Sequence, residues 1–287
     1  MRLLSLGYSP CPNDTFLFYP LIRRLVDTGE LRFRERLEDV ATLNRLAMEG
    51  ALDVCKVSCH AFAHIRERYV LLRAGGAFGR GSGPLIVARR PIAPGELGRC
   101  RIAVPGRHTT AMLLLKLMEP EAGEIVFLPF SEIVEAVALG EVDAGVVIHE
   151  SRFTFESRGL HQIVDLGVWW EARTGLPLPL GAVAARRDLG ASTLAAINDI
   201  LRSSVLYAST HPSESSRYVR SHSQEANEDV CASHIGLYVN DFSLDPGPEG
   251  EKALTLLFSM GEQGGLLPRS AAGIYLPPQS PTIPDNI

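Results

Sequence analysis

No stretch of this chain approaches the roughly 18 consecutive apolar residues of a membrane-spanning helix, so no span is expected. Residues 3–6 are too short for the apolar core of an export signal, and Pro10, Asn13 and Asp14 break any extension of it, so a cytoplasmic location is the expectation. A basic surplus is lacking too. Against 33 Asp and Glu there are 28 Lys and Arg, for a net charge of -5, which removes the electrostatic reason to expect nucleic acid as a partner. The pairs Arg89-Arg90 and Arg186-Arg187 read as solvated strand ends. Cysteine is sparse and odd in number: the five, at 11, 55, 59, 100 and 231, form no disulfide framework and read as reduced thiols. Cys55, Cys59 and His60 match no common zinc spacing and no second ligand pair comes after them, so no metal is expected. The glycine-rich residues 75–83 lack the Gly-Lys-Ser/Thr of a phosphate loop and open no helix, which excludes the nucleotide fingerprints. They read as a flexible loop near a hinge.

The residues present describe an ordinary globular protein: 46% hydrophobic and 21% charged residues over 287 positions, long enough for two domains. The most informative run is Ser9-Pro10-Cys11-Pro12-Asn13-Asp14-Thr15-Phe16. It comes after an apolar strand over residues 3–7 and precedes a helix expected over 16–26. Each proline fixes φ and lacks a donor, so the turn is stiff. Asn13, Asp14 and Thr15 are candidate helix caps. A stiff polar turn at the carboxyl end of a strand suits small-molecule binding.

The chain also repeats itself. Gly50-Ala51-Leu52-Asp53-Val54-Cys55-Lys56-Val57 resembles Gly140-Glu141-Val142-Asp143-Ala144-Gly145-Val146-Val147, each after an apolar-periodic helix that the glycine would end. The strand at residues 4–8 and its turn match 101–104 and the adjoining Pro105-Gly106-Arg107-His108, and residues 84–90 match 181–187. Each half therefore reads as strand–helix–strand–helix–strand, an α/β unit with a mostly parallel sheet flanked by helices. The strands near Leu85 and Ala182 are natural crossovers between halves. The expected division is a large lobe of residues 1–88 plus 188–287 and a small lobe of 89–187, with a cleft between them. Helices are expected at 193–208, 213–221, 227–239 and 249–260, and then a loose or surface-hugging tail from 264.

Ligands of open α/β sheets bind at the carboxyl ends of the strands. Three such ends carry chemistry: Lys56-Val57-Ser58; Arg107-His108-Thr109-Thr110-Ala111, where hydroxyls and helix N-terminal amides suit an anion or carbonyl; and Ile148-His149-Glu150. Of eight histidines, His149 alone sits directly after a buried strand, and imidazole accepts a proton at neutral pH. His234 and the other C-terminal histidines show no partner pattern. Cys11 at a helix N-terminus is the rival nucleophile. A Ser58–His149–Asp triad lacks the Gly-x-Ser-x-Gly elbow.

The Ser9–Phe16 turn, Lys56-Val57-Ser58, Pro105-Gly106-Arg107-His108-Thr109-Thr110, Ile148-His149-Glu150-Ser151-Arg152-Phe153-Thr154, Gly167-Val168-Trp169-Trp170-Glu171 and Thr174-Gly175-Leu176-Pro177-Leu178-Pro179 together resemble the 1,4-dihydroxy-6-naphthoate synthase family of the futalosine route to menaquinone. The likeness runs from about residue 3 to 260. It implies a two-lobed type II periplasmic-binding-protein fold and a lyase that cleaves cyclic dehypoxanthine futalosine to 1,4-dihydroxy-6-naphthoate, with no metal or organic cofactor. By resemblance His149 matches the proton acceptor, Lys56, Val57, Ser58, Thr110 and Ala111 match substrate-binding segments, and Thr109 adjoins them. Cys59 departs from the aromatic residue that commonly stands after the family's serine. Chorismate dehydratase of the same pathway and a non-catalytic solute-binding protein are the alternatives on this fold.

Overall fold

A computed structural model describes residues 1–223 and 227–277 of the chain. Eleven strands are β1 (Arg2–Tyr8), β2 (Leu31–Leu37), β3 (Val54–Ser58), β4 (Tyr69–Leu71), β5 (Ala77–Gly79), β6 (Leu85–Ala88), β7 (Arg101–Val104), β8 (Glu124–Phe127), β9 (Ala144–Val147), β10 (His161–Asp165) and β11 (Leu178–Arg186). They form two sheets. The first runs β2-β1-β3-β11-β4, with β5 also paired to β11; the second runs β10-β6-β9-β7-β8.

From its far edge inward, the second sheet repeats the first. In each, three strands are parallel (β2, β1, β3 and β8, β7, β9) and a fourth, antiparallel strand joins the third. That fourth strand comes from the other half of the chain. β6 ends the first half yet lies in the second sheet, and β11 ends the second half yet lies in the first. Each crossover is thus a strand from one half seated in the other half's sheet: β6 enters the second sheet at Leu85, and β11 returns to the first at Leu178. The cleft forms between the two sets of strand ends.

The repeated Gly–Asp motif has a repeated task. The Val40–Glu49 helix ends at Gly50 (φ 72°) and the Phe130–Leu139 helix at Gly140 (φ 79°), left-handed positions that favour glycine. Three residues on, Asp53 accepts the Ser5 backbone N–H and hydroxyl, both at 2.8 Å, and Asp143 accepts the Arg101 N–H at 2.8 Å. Each carboxylate ties the incoming third strand to the first strand of its sheet.

The expected C-terminal helices are Ala191–Thr210, Pro212–His222, Glu228–Tyr238 and Gly247–Gln263. The first three pack on the Pro12–Ile22 helix and the last on β11, so all complete the first lobe. The start of the tail is held, not loose: Leu276 N–H donates to Leu71 O, and Arg66 donates to Ala272 O. Residues 278–287 of that tail lie outside the described residues.

Two local expectations change. The first helix starts at Pro12, not Phe16, because proline suits the first helical position, where an N–H has no acceptor anyway. Asn13, Asp14 and Thr15 are therefore inside its first turn. The glycine-rich segment is packed rather than loose: Ala77–Gly79 pairs with β11, and Gly83 meets Gly167 so closely that a Cβ would lie 2.6 Å from the Gly167 nitrogen. Glycine serves close backbone approach here, not mobility. No helix among the described residues is long and apolar enough to cross a membrane.

Asp53→Ala should lower the unfolding free energy by about 1–3 kcal/mol, the cost of stranding partly buried donors. Asp143→Ala should cost less, because water reaches the exposed Arg101 N–H. Urea unfolding of both variants checks the order, and equal losses would contradict it.

Candidate active site

The carboxyl ends of β1 and β3 from the first lobe face those of β7 and β9 from the second across a single cleft. Lys56, Val57, Ser58, Thr109, Thr110, Ala111 and His149 all border it.

On the first-lobe wall, Lys56 is buried and spends two donors inside the protein, on Asp14 Oδ1 at 2.9 Å and Gly75 O at 2.9 Å. Its charge is thus already balanced, and one of its three donors is left. Asp14 accepts further bonds from the Ser9 N–H (3.2 Å), the Ser9 hydroxyl (2.7 Å) and Asn13 Nδ2 (3.0 Å). The stiff turn is thus a cradle for this one carboxylate. Strand alternation puts Ser58 on the Lys56 face. Asn44 grips it twice, accepting the Ser58 N–H at 2.9 Å and donating to its hydroxyl at 3.1 Å. Val57, on the alternate face, packs into the core.

On the second-lobe wall, the Thr109 hydroxyl caps the Thr110–Met118 helix and donates to Gly106 O at 2.8 Å, so it is engaged internally. The Thr110 hydroxyl donates across the cleft to Leu180 O at 2.6 Å. This segment offers a ligand its first backbone amides, Thr110 and Ala111, which have no acceptor within the helix. An anion suits that position.

His149 comes after β9 and Ile148 in a left-handed backbone conformation (φ 56°), uncommon for a residue with a side chain and a mark of functional positions. Its ring lies edge-on to Phe130, centroids 5.0 Å apart, and 5.9 Å from that of His234. The residue is partly exposed, but the ring's inward Nε2 is buried and has no hydrogen-bond partner. Burial pushes its pKa below the ordinary value, opposed first by the Glu150 charge and then by Asp14. A neutral ring is therefore the form at pH 7.

Sequence reasoning missed several neighbours. His234 comes from the Glu228–Tyr238 helix, far along the chain, and borders the cleft. Asn13 Nδ2 is spent on Asp14, so Asn13 Oδ1 accepts from His234 Nε2–H at 2.9 Å, and burial holds this imidazole neutral. Asn44 had one faint signal, a lone amide on the apolar Leu43–Leu46–Ala47 face of its helix. Glu150, buried beside His149, stood in the Ile148-His149-Glu150 run but was given no role of its own there. Cys11 Sγ, a His149 nitrogen and a Glu150 oxygen lie within 4.8 Å of one another, the one such cluster among the described residues. Burial pushes the Cys11 thiol well up, which argues against the activated nucleophile considered from sequence.

The family model described as menaquinone biosynthesis matches residues 4–263. A 1,4-dihydroxy-6-naphthoate synthase of Thermus thermophilus is 51% identical over 276 residues, 96% of this chain and 100% of that protein. One of Streptomyces coelicolor is 44% identical over 270 residues, 92% of this chain and 95% of that protein. A crystal structure of an Archaeoglobus fulgidus protein superposes with a TM-score of 0.88 at 37% identity, covering 92% of this chain and 98% of its own. The alkanesulfonate-binding protein of Xanthomonas axonopodis shares the fold alone, with a TM-score of 0.70 at 13% identity over 94% and 95% of the two chains. The architecture is that of a periplasmic binding protein.

One histidine at the lobe contact gives a pH test. His60 Nδ1–H donates to Thr109 O at 3.0 Å, and burial lowers its pKa to about 4. An unfolded histidine titrates near 6.5. The unfolded chain therefore takes up this proton first, and the contribution present above pH 6.5 is lost as pH falls toward 4. Between pH 7 and 5 it should amount to about 2 kcal/mol. Urea unfolding of His60→Gln should show a shallower acid loss than the parent; an unchanged loss would assign the effect elsewhere.

Proposed function

The chain belongs to the menaquinone-biosynthesis family, as a lyase of the 1,4-dihydroxy-6-naphthoate synthase kind, and from that premise we propose that His149 is its general base and cyclic dehypoxanthine futalosine its substrate. The observation that carries the reading is the setting of His149. A neutral imidazole is fixed by an unusual backbone conformation and by Phe130, bordering the cleft that Lys56, Ser58 and the Thr110–Ala111 amides border from other strand ends.

Under this reading the ligand's anionic end lies on the Thr110 and Ala111 amides, with the remaining Lys56 donor and the clamped Ser58 hydroxyl on the facing wall. Val57 and Thr109 shape the site through packing and capping. His149 takes a proton from a hydroxyl, or from a carbon beside a carbonyl. In a retro-aldol-like step the resulting alkoxide becomes a carbonyl as the carbon–carbon bond breaks, its electron pair passing into a ring carbonyl as an enolate that regains the proton, drawn forward by formation of the aromatic ring. Donors aimed at the developing oxyanion act in a water-poor cleft, where they count for more than in solvent. Two lobes that meet over the ligand also hold its reacting atoms in place. The reading includes a cytoplasmic enzyme, in keeping with five free cysteines.

His149→Asn tests the base without disturbing the turn, since asparagine tolerates left-handed backbone. It should keep the parent's thermal unfolding and lose about 10²–10⁴ in kcat, measured through naphthoate absorbance. Turnover at the parent rate would end the proposal. Naphthoate formation from cyclic dehypoxanthine futalosine, with none of chorismate consumed, separates this reading from dehydratase and solute-binding readings.

A further inference from the structure

Among the described residues, Glu150 is a buried charge with no evident partner for half of its carboxylate. Its carboxylate is buried, with 6% of the residue exposed. Oε1 accepts from the Ser223 hydroxyl at 3.0 Å, whereas Oε2 is buried with no partner. Isolating a carboxylate from water with half its acceptor capacity unused is costly unless a positive charge arises beside it. Lys56, the cation of this cleft, already belongs to Asp14. The adjacent thiol of Cys11 is neutral. That leaves the neighbouring imidazole, which becomes a cation only when it takes a proton.

The groups whose charge or polarity bears on His149 are Glu150 from its own segment, Asp14 and Cys11 from the first turn, Lys56 from β3, Asp39 before the Val40–Glu49 helix, and His234. Among the carboxylates Glu150 has the largest effect on the ring, ahead of Asp14 and Asp39. Its grip is also informative. Glu150 belongs to the second lobe, and Ser223 caps the Pro212–His222 helix of the first. The carboxylate is therefore held from across the cleft.

The geometry points to Glu150 as the positioning residue and counter-charge of the His149 imidazole, set in place by Ser223 when the lobes meet. This rests on the reading of His149 as the base. No atom of Glu150 touches substrate. The carboxylate stabilises the imidazolium that forms as the proton leaves the substrate, and the Ser223 bond makes that help strongest with the lobes together, when water is excluded. The base is thereby matched to the closed state.

The test is kcat and KM against pH, with cyclic dehypoxanthine futalosine, for the parent, Glu150→Gln and Ser223→Ala. Removing the negative charge lowers the pKa of the ring, so the acid limb of kcat/KM in Glu150→Gln should move down by about one pH unit or more. Its kcat should fall at least about tenfold, with KM little changed. Ser223→Ala retains the charge and loses the grip, so the same shift should appear at smaller size. A fall in kcat with an unmoved limb marks a merely structural role and overturns the inference, as does a parent-like profile. If Glu150→Gln does not fold, Ser223→Ala decides alone, and an unmoved limb there overturns it. The two readings fail separately: an active His149→Asn removes the base, whereas an inactive His149→Asn with a parent-like Glu150→Gln removes only Glu150.

Discussion

The site is organised around the buried ion pair between Lys56 and Asp14, whose side chains are 8% and 3% exposed. Taking both charges out of water costs several kcal/mol per ion, so the pair persists only with its remaining donors and acceptors filled. Asp14 fills its acceptors from Ser9 and Asn13, and Lys56 donates to Gly75 O. Those bonds join β1, the first helix, β3 and the glycine-rich segment at one point. They also set the amide of Asn13, which in turn sets His234 beside His149. The orientation of groups on one wall is thus transmitted by hydrogen bonds from one buried charge pair.

The paired sheets explain why the two walls meet at all. Three parallel strands in each half send their carboxyl ends the same way, and the exchanged strands β6 and β11 tie the two halves together. Several side-chain bonds join the lobes, Arg80 to Glu171 and Arg152 to Gly83 O among them. Thr110 reaches Leu180, His60 reaches Thr109, Asn44 reaches His108, and Ser223 reaches Glu150. Each joins a first-lobe residue to a segment that ends a second-lobe strand or starts its next helix. Lobe approach and site geometry are consequently linked, because Thr109, Thr110 and Leu180 both border the cleft and take part in these contacts.

The sequence was legible where local chemistry determines the outcome. The repeated Gly–Asp motif, the strand–helix alternation and the crossovers come from periodicity and capping, and the position of His149 after a buried strand comes from those. The Pro-Cys-Pro turn was legible as stiff, but not as a carboxylate cradle, because its principal partner Lys56 lies 42 residues away along the chain. His234 and Ser223 were invisible for the same reason: each reaches the site from a helix of the C-terminal set, through pairings that no spacing encodes. Thr109 shows a different limit. Its residue type suggested a free hydroxyl, yet the same type is a preferred helix cap, and the cap takes the hydroxyl. The glycines were read as freedom where packing uses them as absence of bulk.

Burial and charge pull the central imidazole in opposite directions, and the balance has consequences. A ring deep enough to work without water loses basicity, because the cation it must form is poorly solvated. A ring left in water keeps its basicity and loses the advantage of a dry, preorganised site. A carboxylate beside a buried ring resolves the conflict. It leaves the resting ring neutral and free to accept, and it strengthens the ring only as charge develops. Here burial outweighs the carboxylates in the resting state, since the net direction of the His149 shift is downward. With His149 as the proposed base, the pull of Glu150 would be felt most as the proton arrives, an interaction stronger in the transition state than in the ground state, the kind that accelerates a reaction.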